Sequence, residues 1–253
     1  TGMTSFVLGN LPFPGQSGDQ VVSKAVSTAI AALFKRTGKL EANVRAEPVA
    51  KLLQGSVDGF DFVGHGMLMY NGLRIKAMEL FVQAVSIDFG AVFRGQVRIK
   101  QPTQASMRVV LTEEDLTKSF NTPFVVEKLQ RMEFEGESLH FSNTEMLLND
   151  DKTISLTSQV RVGSNSGAPN FISLTARVEV YDRTNLAFVD VTCDGTDRDI
   201  ELGNAIIEHV NALLDLDSFA LDGTQLRIDK IRMRNKELVF YGVAHINQFP
   251  QKK

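Results

Sequence analysis

Cysteine and histidine are scarce in this 253-residue sequence, which contains one cysteine, Cys193, and four histidines. A single cysteine excludes an intrachain disulfide and a CxxC redox pair, and it cannot build a cysteine-rich zinc cluster. We expect Cys193 to pack within a strand. The histidines are scattered singly, with no i, i+4 pair and no carboxylate at a fixed spacing: His65, His140, His209 and His245. The sequence therefore predicts no metal site.

Long apolar runs are also missing. No run reaches the roughly 18 residues that a membrane-spanning helix requires. The N-terminus lacks the basic region, apolar stretch and small-residue cleavage site of a signal peptide. We therefore expect an intracellular protein that is soluble or peripherally associated with a membrane.

The sequence carries no signature of catalysis or of nucleic-acid binding. Its net charge of -3 argues against a general nucleic-acid binder. It has no phosphate-binding P-loop and no G-x-S-x-G elbow, because residues 163–167 carry Asn165 where the serine should stand. The acidic loops at residues 194–201 and 215–222 do not fit an EF-hand. We expect no catalytic residues, no metal and no cofactor, although a bound lipid is compatible with the sequence.

The overall composition is that of a soluble globular protein, with 43% apolar and 23% charged residues. We expect one α+β domain over residues 19–253, preceded by an apolar N-terminal arm over residues 1–18. The arm mixes Phe6, Leu8 and Phe13 with proline and glycine. It either packs onto the body or dips into a membrane surface.

Apolar stripes and capping residues predict four helical segments. The first has Asp19 as its N-cap and Gly38 as its stop, and Thr112 to Asp115 fits a capping box for the second. A third helix begins at Thr122-Pro123, because proline is favoured in the first turn of a helix. The predicted ranges of the first, third and fourth are residues 19–36, 123–132 and 199–216, and the second carries Leu116 and Phe120 on its apolar side.

Period-two alternation predicts a set of long antiparallel strands between these helices. The predicted strands cover residues 40–47, 96–111, 139–148, 153–162, 171–181 and 186–193. A last hairpin turns at Asn235-Lys236, sets Arg234 opposite Glu237, and carries a bulge near residues 229–230.

Residues 57–89 contain two apolar strands that meet at Asn71-Gly72. This pair predicts a two-residue type I′ turn, which sets Phe62 opposite Phe81. One face of the hairpin then carries Phe62, Leu68 and Phe81, and the other carries Val63, Met67, Met69, Met78, Leu80 and Val82. An antiparallel hairpin normally has one face in water, so a hairpin that is apolar on both faces needs a cover on each.

Six segments of the chain match one known family in order and spacing: LLQGSVDG (52–59), AVSIDFG (84–90), GQVRIKQPTQASMRVVLTEED (95–115), SFNT (119–122), LLDLDSFALDG (213–223) and residues 238–250. Through them the chain resembles the LmeA-like phospholipid-binding family, and most of all its cyanobacterial branch. The resemblance implies a fold related to the tubular lipid-binding (TULIP) superfamily. In that fold a long, strongly curved antiparallel sheet wraps amphipathic helices and leaves an apolar groove for acyl chains.

These observations favour a non-enzymatic lipid-binding or lipid-transfer protein whose partner is a phospholipid or similar amphiphile, with possible peripheral membrane contact. Either hairpin face is a candidate groove wall, and flexible methionines favour the second. We expect Arg74 and Lys76, near the turn, to meet the headgroup. The expected groove residues are Phe62, Val63, Met67, Met69, Met78, Leu80 and Val82. The alternative is a scaffold or assembly protein that buries the same apolar face against a protein partner. The oligomeric state is left open.

Overall fold

The computed structural model describes residues 18–46, 54–92, 94, 96–164 and 167–249, and these form an α+β fold. Of the expected N-terminal arm, residues 1–17 lie outside the described residues. No described helix is long and apolar enough to cross a membrane.

The described strands divide mainly between two open antiparallel sheets. The first sheet has six strands in the order β1-β3-β4-β6-β13-β12 and the second has five in the order β11-β10-β9-β8-β7, while β2 pairs with β5. The bounds are β1 (Leu40–Arg45), β2 (Ser56–Val57), β3 (Gly59–Leu68), β4 (Arg74–Val82), β5 (Val85–Ser86), β6 (Thr103–Thr112), β7 (Glu133–Phe134), β8 (Glu137–Leu148), β9 (Ile154–Val162), β10 (Asn170–Tyr181), β11 (Asn185–Asp194), β12 (Thr224–Arg234) and β13 (Glu237–Ile246). The antiparallel α+β class predicted from sequence is confirmed, and β6 begins at Thr103, seven positions later than predicted.

The helices lie between these strands in the chain. They are α1 (Gly18–Ala31), α2 (Phe89–Val92), α3 (Glu113–Phe120), α4 (Pro123–Gln130) and α5 (Asp197–Leu213), followed by a short 3-10 turn (Leu216–Ser218). The predicted capping box is confirmed: the Asp115 N–H donates to Thr112 Oγ1 and the Thr112 N–H donates to Asp115 Oδ2. Thr122 caps α4 as predicted, with Pro123 in its first turn.

Helix α1 is shorter than predicted. It ends at Ala31 and not at residue 36. The backbone beyond it leaves the helix to pair with the end of β3, where the Lys35 N–H donates to the Leu68 carbonyl (2.8 Å) and the Leu68 N–H donates to the Arg36 carbonyl (2.8 Å). A tertiary contact therefore overrides the local helical pattern.

The β3–β4 hairpin turns differently from the prediction. Its loop has three residues, because the Met69 N–H donates to the Leu73 carbonyl (2.8 Å) and the Gly72 N–H donates to the Met69 carbonyl (3.0 Å). Gly72 has a φ of +92°, whereas Asn71 is not among the positive-φ residues. Asn71 Oδ1 instead accepts from the Leu73 N–H (3.1 Å). The type I′ prediction is wrong, and the loop is a type I turn that ends in a glycine bulge.

The longer loop shifts the hairpin register by one residue. Phe62 pairs with Leu80 and not with Phe81, and Met78 pairs with Gly64. A one-residue shift sends a side chain to the other face of a sheet. Phe81 accordingly points outward and is 46% exposed. The predicted division into a phenylalanine face and a methionine face is therefore wrong.

The type I′ turn occurs instead in the last hairpin. Asn235 and Lys236 have φ values of +53° and +59°, and Arg234 pairs with Glu237 as predicted. The predicted bulge is also confirmed, since the register of β12 shifts between Ile228 and Lys230.

Two groups of buried apolar side chains hold the fold together. The larger group includes side chains of α5, β6, β13 and the five-stranded sheet, such as Leu202, Met107 and Leu174. The smaller group packs α1 against β1 and β3 through Val22, Phe62 and their neighbours. Several partly buried side chains of the first sheet pack against both groups, among them Phe60 and Leu80.

Candidate functional site

An apolar cavity of about 430 Å³ lies between these elements. Its lining draws on α1, the inner face of the six-stranded sheet, α3, α4, α5 and parts of β8 to β11. Among the 48 described residues that line it, five have polar side chains: Arg74, Thr103, Ser119, Lys128 and Thr224. The remaining lining residues are aliphatic, methionine or phenylalanine.

Alternation along β4 and β6 forms one wall of the cavity. Met78, Leu80 and Val82 of β4 line it, whereas Ala77 packs on the other side of the sheet with Val110. Val109 of β6 lies at the centre of this wall, because its register partners are Met78 on β4 and Phe240 on β13, and both also line the cavity. The period-two pattern of side chains thus sends every second residue into the cavity.

The expected groove residues occupy three environments. Met69, Met78, Leu80 and Val82 line the cavity. Phe62 and Met67 are almost fully buried in the cluster beneath α1 and do not line it. Val63 lies opposite Glu79 in the register and is not a lining residue either.

The two expected headgroup residues are separated by the structure. Arg74 lines the cavity, and its backbone N–H donates to Ser119 Oγ (3.2 Å), which ties the start of β4 to the end of α3. Lys76 does not line the cavity, and its ammonium group forms an ion pair with Glu237 at the start of β13.

Lys128 on α4 is a lining residue that the sequence reasoning missed. Its Nζ lies 4.8 Å from the centroid of the Phe124 ring, one helical turn earlier. Phe124 in turn makes an edge-to-face contact with Phe219, with ring centroids 6.2 Å apart. The i, i+4 spacing of Phe124 and Lys128 is visible in the sequence, but spacing alone does not show that the Lys128 side chain lines a cavity.

The cavity lining offers little for acid–base or metal chemistry. Among its described residues there is no histidine, cysteine, aspartate or glutamate. Within the described part of the chain, no group of three or more His, Cys, Asp or Glu side chains is placed to hold a metal ion. Asp199 and Asp215, from the two acidic loops, serve instead as capping residues of α5 and of the 3-10 turn.

Cys193 does pack in a strand, as predicted. It lies on β11 against α5, where an added Cβ on Gly203 would come within 2.9 Å of its Sγ. Burial, followed by the nearby charge of Asp194, raises the pKa of the Cys193 thiol.

An apolar cavity with a few polar groups in its lining is typical of sites that bind amphiphilic small molecules. The sequence profile of the LmeA-like phospholipid-binding family matches residues 16–243, and the chain belongs to this family. Family membership supports phospholipid binding as the general activity. Neither the curated proteins nor the solved structures that were searched gave a match.

Proposed function

We propose that this protein is a non-enzymatic carrier that holds the acyl chains of a phospholipid, or of a similar amphiphile, in the cavity between its sheets. The observation that carries the proposal is the cavity itself, of about 430 Å³, with apolar side chains at all but five of its 48 described lining residues. Removing apolar surface from water stabilises a bound acyl chain by about 0.8 kcal/mol per methylene. A cavity with this lining accommodates hydrocarbon and offers few partners for a polar solute.

The β3–β4 hairpin supplies the adaptable part of the proposed binding wall. Met69 and Met78 line the cavity beside Leu80 and Val82. Unbranched methionine side chains adjust to chains of different length and unsaturation. Phe62 and Met67, which are buried beside this wall in the cluster under α1, act on the ligand through the position of the hairpin, and Val63 makes no contact with it.

Arg74 is the proposed headgroup contact of the hairpin. It lies at the start of β4, next to the hairpin loop, and its side chain borders the cavity. The headgroup of an amphiphile remains hydrated or bound to polar groups, so the acyl chains extend away from Arg74 toward Met78 and Leu80. Lys76 contributes at most to the long-range field, because it is paired with Glu237.

Transfer between membranes is the finer part of the proposal. A carrier of this kind contacts a membrane peripherally, takes up one amphiphile, and releases it at a second surface. Donor vesicles with a self-quenched fluorescent phospholipid and unlabelled acceptor vesicles measure this step. Dequenching that rises with protein concentration supports transfer, and binding without dequenching limits the protein to lipid storage or presentation.

The first test is to identify what the protein carries. Native mass spectrometry of the purified protein, followed by organic extraction of the same sample, should reveal a lipid adduct in stoichiometric amount. The protein is then stripped of lipid, incubated with phospholipid vesicles and re-isolated, and the adduct should return. No adduct in either sample and no retention by vesicles would contradict the proposal.

The scaffold alternative has less support, because the apolar side chains line a concave cavity between helices and sheets instead of forming one flat face. It predicts a concentration-dependent dimer, or a protein partner that occupies the cavity. Analytical ultracentrifugation over a wide concentration range distinguishes the two ideas, since a lipid carrier needs no self-association.

A further inference from the structure

The charged side chains that line the cavity are all cationic. Arg74 and Lys128 are the two charged members of the described lining. In the part of the chain that the structure describes, neither of them forms an ion pair with a carboxylate. Glu114 forms its ion pair with Lys118, and Lys118 is the main cause of the lowered pKa of the Glu114 carboxyl group. The charge of Arg74 lowers that pKa to a smaller degree. The cavity therefore has a positive lining charge without an internal counter-charge.

The cations on the neighbouring surface are neutralised, in contrast. Four basic side chains around the hairpin and α3 have a carboxylate partner: Lys76 with Glu237, Lys118 with Glu114, Arg108 with Glu79 (3.6 Å) and Lys236 with Glu113 (3.6 Å). Arg74 and Lys128 differ from these four residues both by lining the cavity and by lacking an ion pair.

Arg74 and Lys128 lie on elements that meet at the corner between α3 and α4. The Arg74 N–H donates to Ser119 Oγ at the end of α3 (3.2 Å), and a Cβ placed on Gly72 would lie 2.8 Å from Thr122 Cγ2 at the start of α4. The Lys128 side chain extends back toward that start, because its ammonium lies over the ring of Phe124. The Phe124 ring holds the ammonium group in place without neutralising its charge.

We propose that Arg74 and Lys128 form an anion subsite for the phosphate of the bound amphiphile, and that the cavity therefore selects net anionic phospholipids over zwitterionic ones. This inference rests on the proposed function. A phosphate accepts charge-assisted hydrogen bonds from both guanidinium and ammonium groups. A zwitterionic headgroup brings its own cation to the same corner, and that cation repels the two basic side chains. Each charge-assisted contact contributes about tenfold in affinity.

The test uses the full chain and one vesicle preparation that contains equal amounts of phosphatidylglycerol and phosphatidylcholine with identical acyl chains. The protein is loaded, re-isolated by size-exclusion chromatography, and its bound lipids are quantified by mass spectrometry. We expect the parent protein to hold about ten times more phosphatidylglycerol than phosphatidylcholine, or more. In the double variant Arg74→Gln/Lys128→Gln this ratio should fall to near one while total bound lipid persists.

Two further variants separate charge from structure. Lys76→Gln/Lys236→Gln removes two cations from the same surface that are already paired with Glu237 and Glu113, and it should keep the preference of the parent. Arg74→Lys/Lys128→Arg retains both charges and should also keep it, so a loss of preference in this variant would assign the residues a merely structural role. A further sample contains inorganic phosphate at about 10 mM, an anion without acyl chains. It should leave the ratio of the two bound lipids unchanged, because phosphate alone gains no free energy from apolar contacts in the cavity and therefore binds weakly.

The outcomes separate this inference from the function on which it rests. Equal uptake of the two lipids by the parent protein would overturn the anion subsite and leave the acyl-chain cavity standing. A preference that survives in the double glutamine variant would overturn it as well. Uptake of neither lipid would contradict the proposed function and the inference together.

Discussion

Val109→Phe should block the cavity while leaving the sheet intact. Val109 is partly buried in the middle of β6, lines the cavity, and pairs with Met78 and Phe240, which line it too. A phenyl ring at this position projects into the space that we assign to an acyl chain. It adds about four carbon atoms to the side chain, and these displace about four methylenes of the ligand.

The magnitude follows from the apolar surface that the ligand loses. At about 0.8 kcal/mol per methylene, four displaced methylenes amount to roughly 3 kcal/mol, or about a hundredfold in affinity. The lipid-free protein should not be destabilised to the same degree, because the ring fills existing space, and its burial offsets the strain of about 1–3 kcal/mol that overpacking causes.

The matched control is Gln104→Phe, on the same strand. Gln104 is exposed, and its side chain lies on the opposite face of the sheet from that of Val109. Its register partner is His245. Binding is measured by titration with a fluorescent phospholipid, and stability is measured by urea unfolding of lipid-free samples. We expect weakened binding for Val109→Phe and unchanged binding for Gln104→Phe. A folded Val109→Phe protein that binds lipid as tightly as the parent would refute the assignment of acyl chains to this cavity.

Three predictions concern the framework around the cavity. Thr112→Ala removes the capping box with Asp115 and should lower the free energy of unfolding by about 1 kcal/mol, as read from urea denaturation; an unchanged midpoint would contradict the capping role. Gly242→Ala should cost about 3 kcal/mol or prevent folding, because its Cβ would lie 1.9 Å from the Arg227 carbonyl oxygen beside the bulge, and a fully stable variant would show that this close approach can relax. Burial raises the pKa of the Cys193 thiol, so alkylation near about pH 8 should be slower in the folded protein than in urea, and equal rates would argue against that burial.

Local sequence signals predicted the capping box of α3 and the last hairpin well, because the forces that set them act within a few residues. The capping box at Thr112 and Asp115 depends on side chains three positions apart. The bulge in β12 was visible as a change of phase between Ile228 and Ile231. Neither feature needs information from a distant part of the chain.

The β3–β4 hairpin could not be predicted to the same accuracy. An Asn-Gly pair fits both a two-residue loop and the second half of a three-residue loop. The Asn71 side chain stabilises the longer loop by accepting the Leu73 N–H, and Thr122 of α4 lies close to Gly72. These contacts choose a register one residue away from the predicted one and thereby exchange the faces of the hairpin.

The candidate site was only partly accessible to sequence reasoning. Met78 and Leu80, which we expected in a lipid groove, line the cavity. The cavity residues beside them on β13 and α5 depend on how the two sheets pack. Lys76 looked equivalent to Arg74 in the sequence, and it differs because Glu237 lies beside it across the sheet. Lys128 was overlooked because its relation to the cavity comes from the packing of α4 and not from a motif.

The most direct measurement of the central claim is photo-crosslinking with a phospholipid that carries a diazirine midway along one acyl chain. The protein is loaded with this lipid and irradiated, and the modified peptides are sequenced by mass spectrometry. The account predicts adducts on cavity-lining residues of the first sheet, such as Met78, Val109 and Phe240, and fewer of them in Val109→Phe. Adducts confined to outward-facing side chains such as Phe81, or their absence from a protein shown to hold the lipid, would contradict it.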